Sequence, residues 1–114
     1  VHQFCRIGRL AMISGLAGIN MDVPPFCLAE GHKAIIRGLN VVGLRRAGID
    51  GPGRAELKRL MRAIHDPRKT RTEALAELAS TTPEGAELLA FYRAPSTRGI
   101  AAYAGAGRAA AEEE

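Results

Sequence analysis

The chain has 114 residues, 46% of them apolar and 25% charged, which is the size and composition of one domain with a modest core. Sixteen Lys and Arg against twelve Asp and Glu give +4, and Glu112, Glu113 and Glu114 are terminal, so sixteen basic against nine acidic side chains leave the body at +7. Three Phe, two Tyr and no Trp argue against stacking platforms for single-stranded nucleic acid, and two cysteines make neither a disulfide framework nor a metal cluster. No apolar run is long enough to span a bilayer and nothing reads as a signal peptide, so a soluble, cytoplasmic protein without membrane insertion is expected.

The first 24 residues carry a period of six. Val1, Ile7, Ile13 and Ile19 are β-branched aliphatics in register, with Gly8 and Gly15 close behind two of them. Six fits neither a helix nor a two-sided strand; it is the hexapeptide repeat of a parallel β-helix, in which each hexad forms one flat side of a triangular coil. The leading aliphatic is expected to point inward and the small or Gly residues to turn the corners. Four hexads make little more than one coil, and a chain starting at Val1 without Met suits a piece of something longer.

Asp22-Val23-Pro24-Pro25-Phe26 ends the hexads, since two prolines deny a sheet its donors. Phe26 to Ala29 reads as one more edge strand, Glu30-Gly31-His32-Lys33 as a turn, and Ala34 to Arg37 as a short extended segment. At Asn40 the period changes. Asn40 is a good N-cap for a short helix through Arg45-Arg46 that stops at Gly48, and Gly43 inside it costs about 1 kcal/mol relative to Ala. A second helix starts after Pro52-Gly53 and runs to His65, with Leu57, Leu60, Met61 and Ile64 on one face. His65 at its C-terminal end reads as a cation facing the helix dipole. A third helix opens with the capping box Thr70 to Glu73 and carries Leu75 and Leu78; a fourth has Thr82 as cap, Pro83 at its first position, and Leu88, Leu89, Phe91 and Tyr92. Residues 1–36 are therefore assigned to the coils and 37–100 to a helical domain. Residues 101–114, a low-complexity Ala/Gly/Glu tail, are expected to be disordered. The fold class is α+β.

His2-Gln3-Phe4-Cys5, the hexads, Asp22-Val23-Pro24-Pro25-Phe26, Gly38-Leu39-Asn40-Val41-Val42-Gly43-Leu44-Arg45-Arg46 and Ser96-Thr97-Arg98-Gly99-Ile100 occur in one order and spacing. Together they closely resemble the C-terminal part of the acyl-[acyl-carrier-protein]–UDP-N-acetylglucosamine O-acyltransferases of lipid A biosynthesis, over roughly residues 1 to 100. The resemblance implies a homotrimer of left-handed β-helices, each ending in a helical domain. It also implies transfer of a 3-hydroxyacyl chain from acyl carrier protein to the 3-hydroxyl of UDP-N-acetylglucosamine, with no cofactor and no metal. The chemistry asks for a general base at the hydroxyl and donors for an oxyanion. The resemblance puts the catalytic His in an earlier coil, so this chain is expected to be inactive alone.

The same resemblance assigns His2, Gln3, Asn40 and Arg46 to the sugar nucleotide, and Gly15 and Lys33 to the acyl-chain pocket. Val42 and Ala47 depart from the acidic and basic residues found there in other members, and Lys33 departs as well. Arg37, Arg45, Lys58, Arg59 and Arg62, with Arg46, offer a basic surface to the acidic carrier protein through electrostatic steering. A non-catalytic trimeric cap that recruits an acidic protein is the alternative. A nucleic-acid-binding helical domain is disfavoured, because Gly43 and the mixed second helix make a poor recognition element.

Overall fold

The computed structural model describes residues 3–15 and 17–104. The period of six survives as parallel backbone pairing between successive turns of chain. Strand β1 (Met12–Ile13) pairs in parallel with β2 (Cys27–Glu30), Met12 opposite Leu28 and Ile13 opposite Ala29, and Ile7 bridges Val23 in the same sense. Every partner lies 16 residues further on, two short of three full hexads. The deficit falls in the third side: Ile19 leads only four residues, Ile19 to Asp22, before Val23 takes the place of the next leading aliphatic. Ile19, Val23, Ala29 and Ala34 form the coil interior, with Ile13, Cys5, Ala11 and Ala17 packed against it. The inward set thus includes a second row of small residues at positions 5, 11 and 17, also six apart, which the hexad reading did not single out.

Ile7 is bridged in register to the buried Val23 and so faces the same side of the coil, although it is itself 40% exposed. One expectation about the coil needs correction. The corners are turned at Phe4, Leu10 and Phe26, whose φ values of 68°, 58° and 68° are left-handed, whereas Gly8 and Gly15 do not adopt that conformation. Each such non-Gly residue costs about 1–2 kcal/mol, which stacking of the coil has to offset. Gly8 serves close approach instead. A Cβ there would run into the backbone and ring of Pro25, and Gly8 N donates to Val23 O.

After β2 the chain turns at residues 31–34 and comes back as β3 (Ile35–Leu39), antiparallel to β2, so the sheet order is β1-β2-β3. The boundary drawn at 36/37 therefore cuts through a strand. The helices follow: α1 (Val41–Arg46), α2 (Gly51–Ile64), α3 (Arg71–Glu77) and α4 (Pro83–Arg93). Asn40, Thr70 and Thr82 cap as their side chains allow, and the Thr70–Glu73 capping box is complete. Helix α2 begins earlier than expected because Asp50 caps it by accepting from Gly53 N, and Pro52 is tolerated within the first turn. Leu57, Leu60, Met61 and Ile64 pack with Leu88, Leu89 and Tyr92 of α4 and with Phe26, Cys27 and Ile36 of the sheet side.

The C-terminal segment is the main departure from expectation. Residues 99–104 return to the coil and pair with it in parallel: Asp22 N donates to Gly99 O, Ala101 N to Asp22 O, Ile36 N to Ala102 O and Ala104 N to Ile36 O. Ala101 is buried. The disorder expected from residue 101 onward is thus incorrect for 101–104, because unpaired coil edge is available to a strap that can hydrogen-bond it. Residues 105–114 lie outside the described ones.

Glu56, buried on α2, accepts from the hydroxyls of Ser80, Thr81 and Thr82 and from Thr81 N, locking the α3–α4 connection onto α2. These hydrogen bonds, that of the Thr81 hydroxyl first, hold its carboxyl down at about 2 against an ordinary 4.5. The ionised form is favoured by folding, so its contribution is complete above pH 4.5 and is lost as pH falls toward 2. Urea denaturation across this range is expected to show Glu56→Gln well below the parent chain in stability above pH 4.5, with the gap closing toward pH 2.

Candidate binding surfaces

Three successive corners of the coil carry the residues assigned to substrate. Gln3 lies exposed in the turn at the Phe4 corner; His2 is outside the described residues. Arg6, three residues on, is held by Asp22, which accepts from Arg6 N at 2.9 Å and from Arg6 Nε at 2.7 Å. At the Leu10 corner, Asn40 N donates to Phe26 O, Asn40 Oδ1 accepts from Gly43 N at 3.1 Å, and Asn40 Nδ2 donates to Leu10 O at 2.9 Å. Both ends of the Asn40 amide are therefore used in fastening α1 to the coil. Gly43 makes this possible, since a Cβ there would occupy the position of the Asn40 side chain. Arg46 sits exposed in the last turn of α1, one helix length from Asn40. Val42, 59% exposed, and Ala47, the C-cap, are its neighbours on that element.

At the next corner Gly15 is exposed, and a Cβ added to it would meet nothing within 4 Å. Ser14 N donates to Ala29 O, Gly18 N to Gly31 O and Ala34 N to Gly18 O, so this corner lies against the 31–34 turn that carries Lys33. Gly15 lies between the Ser14–Ala29 and Gly18–Gly31 pairings, whose partner segment runs on into the turn that carries Lys33, while Gln3 and Asn40 belong to the other two corners. A side of about six residues spans roughly 20 Å at the rise of a strand, so within one chain these groups line a long path rather than one pocket.

The basic residues divide. Arg37 of β3 and Lys58 of α2 line one groove, although Arg37 also pairs with Glu30 at 3.2 Å. Lys58 and Arg62 share a helix face at i and i+4. Arg59 is drawn to Glu56 at 3.7 Å, and Arg45 lies in the last turn of α1, a different element.

His65 is not the cation expected at the end of α2. Burial, and then the charge of Arg71, push it down to about 4. It is a neutral ring hydrogen-bonded to the Tyr92 hydroxyl, with Tyr103 against it at 5.0 Å between centroids. His32 is exposed in the 31–34 turn. Cys5 and Cys27 are free thiols, the second buried and its titration pushed up by that burial. No group of His, Cys, Asp and Glu among the described residues could hold a metal, and no described helix is long and apolar enough to cross a membrane.

A family model described as UDP N-acetylglucosamine O-acyltransferase, domain 2, matches residues 22–101, the span from the buried Asp22 to the buried Ala101 of the strap. The chain belongs to that acyltransferase family. It is 48% identical over 103 residues to an acyl-[acyl-carrier-protein]–UDP-N-acetylglucosamine O-acyltransferase of Alkalilimnicola ehrlichii, covering 88% of this chain and 40% of that one. It is 46% identical over 77 residues to the protein of the same name from Anaeromyxobacter sp., covering 68% of this chain and 30% of that one. Among solved structures, the UDP-N-acetylglucosamine acyltransferase from Campylobacter jejuni superposes with a TM-score of 0.77 at 33% identity, over 90% of this chain and 40% of that chain. The Arabidopsis UDP-N-acetylglucosamine acyltransferase gives 0.77 at 32%, over 88% and 39%. The fold of this acyltransferase-family chain is accordingly the end of a left-handed parallel β-helix followed by a small α-helical domain. The chain spans about 30 to 40% of the length of these relatives.

Three residues that matter to these surfaces went unassigned in the sequence. Asp22 and Glu56 are buried carboxylates, and the run Ser80-Thr81-Thr82 was a legible sign of a hydroxyl cradle for Glu56. Tyr103 lay in the stretch set aside as tail. The Asn40 fastening gives a direct check. Asn40→Ala loses a cap and a tie to the coil and is expected to lower stability by about 2 kcal/mol. Asn40→Asp keeps the cap acceptor but not the donor to Leu10 O, and recovers about half of the loss in urea melts.

Proposed function

We propose that this chain is part of an acyltransferase that moves a 3-hydroxyacyl group from acyl carrier protein to the 3-hydroxyl of UDP-N-acetylglucosamine, the first step of lipid A biosynthesis. The observation that carries the reading is the family match across residues 22–101, which takes in Asn40 and the α1 helix that it caps. In this reading the enzyme is a cytoplasmic homotrimer, and the general base is a His on a coil not contained in these residues. The chain contributes binding. Gln3, Asn40 and Arg46 face the sugar nucleotide, Arg46 through its forked guanidinium toward phosphate. Asn40 acts chiefly by setting α1, since its amide is already engaged. Gly15 leaves space for the acyl chain near Lys33, where a larger side chain would shorten the slot. Because these groups sit at separate corners, neighbouring protomers would have to complete each site, which is the structural motive for the trimer.

Lys58 and Arg62, with Arg37, form the part of the basic surface suited to an acidic carrier protein. Electrostatic steering of this kind gives rapid, salt-sensitive association more than tight packing. The 114-residue chain is expected to bind acyl carrier protein with an affinity that falls as salt rises. The charge-reversed pair Lys58→Glu and Arg62→Glu is expected to weaken binding by about tenfold or more, as the loss of two favourable charge contacts implies. Absence of binding at low salt, or indifference to the reversal, would sink the carrier-docking reading.

A further inference from the structure

His65 caps the C-terminal end of α2 where three other parts of the chain meet: α3 brings Arg71, α4 brings Tyr92 and the strap brings Tyr103. Arg71 Nη2 lies 3.5 Å from His65 Nδ1, and His65 Nε2 is hydrogen-bonded to the Tyr92 hydroxyl, which in turn lies 3.8 Å from Met61 Sδ. One tautomer satisfies all three contacts. Arg71 donates to a bare Nδ1, Nε2–H donates to the Tyr92 oxygen, and the Tyr92 hydroxyl donates to the thioether. The guanidinium is held over the Tyr92 ring, 5.3 Å from its centre, and the Tyr103 ring covers His65 at 5.0 Å. Behind Met61, 3.9 Å from its sulfur, lies the Cys27 thiol of β2, which burial keeps protonated. Asp66, next to His65 in the chain, is paired with Arg68 at 3.0 Å.

We propose that His65 is the sensor of an acid-sensitive latch, in which a second proton on its ring frees residues 102–104 of the strap from β3. That proton has one place to land, Nδ1, where it would point at the Arg71 guanidinium, donor against donor. Moving Arg71 aside is not enough, because the new cation would remain under the Tyr103 ring with no carboxylate turned toward it among the described residues. The strap end is the element that can give. Helices α2 and α4 are locked in the main core, and the root of the strap is bonded twice to Asp22, which donates to Gly99 O and accepts from Ala101 N. The end is held only to Ile36, which donates to Ala102 O and accepts from Ala104 N. The sign follows from the neutral ring. In the closed form His65 titrates at about 4 against an ordinary 6.5, burial first and Arg71 second, so closure is fully supported above pH 6.5 and loses that support as pH falls toward 4. Asp22 and Glu56 titrate below their ordinary 3.8 and 4.5, so these buried carboxylates do not account for a change in that window. Tyr103 lines one groove with Arg37 and Lys58, so the latch forms part of its wall. The inference does not rest on the acyltransferase reading.

The full chain, labelled with ¹³C and ¹⁵N, is to be followed by NMR from about pH 7.5 to about 4.5, reading the His65 imidazole and amide exchange corrected for its intrinsic pH dependence. Protection of the Ile36 and Ala104 amides is expected to fall about tenfold or more, in step with the His65 titration, while Ala101, Leu57 and Leu60 keep theirs. Arg71→Gln is expected to move the His65 midpoint and the loss of protection upward together. Tyr103→Ala is expected to raise the His65 midpoint, as reciprocity between proton and strap requires. His65→Gln removes the titrating group and is expected to flatten the pH dependence, whatever level of protection it starts from. A His65 titration that leaves Ile36 and Ala104 protected overturns the proposal. So does a pH-dependent loss that persists in His65→Gln, or one that stays in place when Arg71→Gln moves the His65 midpoint.

Discussion

The structure depends on the burial of one carboxylate. Asp22 is fully buried where the shortened third side of the coil ends; its carboxylate is held by Arg6 and Ser96, and Arg6 carries the link on to α4. Arg6 N and Nε bond it from the preceding turn, Ser96 Oγ donates to it at 2.6 Å from the strap, and the Arg6 guanidinium lies 4.0 Å from the Phe91 ring centre while donating to Phe91 O on α4. Burial by itself would push the Asp22 carboxyl up; the Ser96 hydroxyl and the Arg6 donors more than offset it and hold it below its ordinary value. Coil, helical domain and strap are thereby joined at one charge. A charge in this position stays ionised only while its donors stay in place, which couples the three parts.

The same joint explains how the binding surfaces are set. Val23 N donates to Arg6 O, so the turn bearing Gln3 is tied from both sides of Asp22. The next link is Asn40, which secures α1 and hence Arg46 to the Leu10 corner. Beyond it, the strap that Ser96 anchors carries Tyr103 to the β3–α2 groove. None of these side chains needs to touch a ligand to matter, because each fixes the backbone of a surface proposed to bind.

Most of the architecture was legible in the sequence because local chemistry agreed with the final structure. Asn40, Thr70 and Thr82 could satisfy helix N–H groups without help, and Leu57, Leu60, Met61 and Ile64 declare a helix face by spacing alone. What was hidden depended on contacts between distant residues. The coil's 16-residue turn cannot be read from four hexads, since the missing two residues show only once Ile7 is matched to Val23. Left-handed Phe4, Leu10 and Phe26 defy the expectation that glycine turns corners, because stacking stabilises a conformation that the residue alone disfavours. The strap looked like tail: its own residues are small, and the coil edge that orders it lies more than sixty residues earlier. His65 was misread for a related reason, as its neutral state is set by burial under Tyr92 and Tyr103 rather than by the helix that ends there. Of the residues that the resemblance assigns to substrate, Gly15 and Lys33 lie on successive turns of chain, while Gln3 and Asn40 lie at different corners.

Native-state hydrogen exchange on Asp22→Asn tests the central claim most directly. Loss of the charge should release the strap and its coil partner as a unit, so the amides of Ile36, Ala101 and Ala104 lose protection together while Leu57, Leu60 and Met61 in α2 keep theirs. Retained protection at the strap amides, or equal loss throughout α2, would contradict the view that one buried carboxylate joins the coil to the rest of the chain.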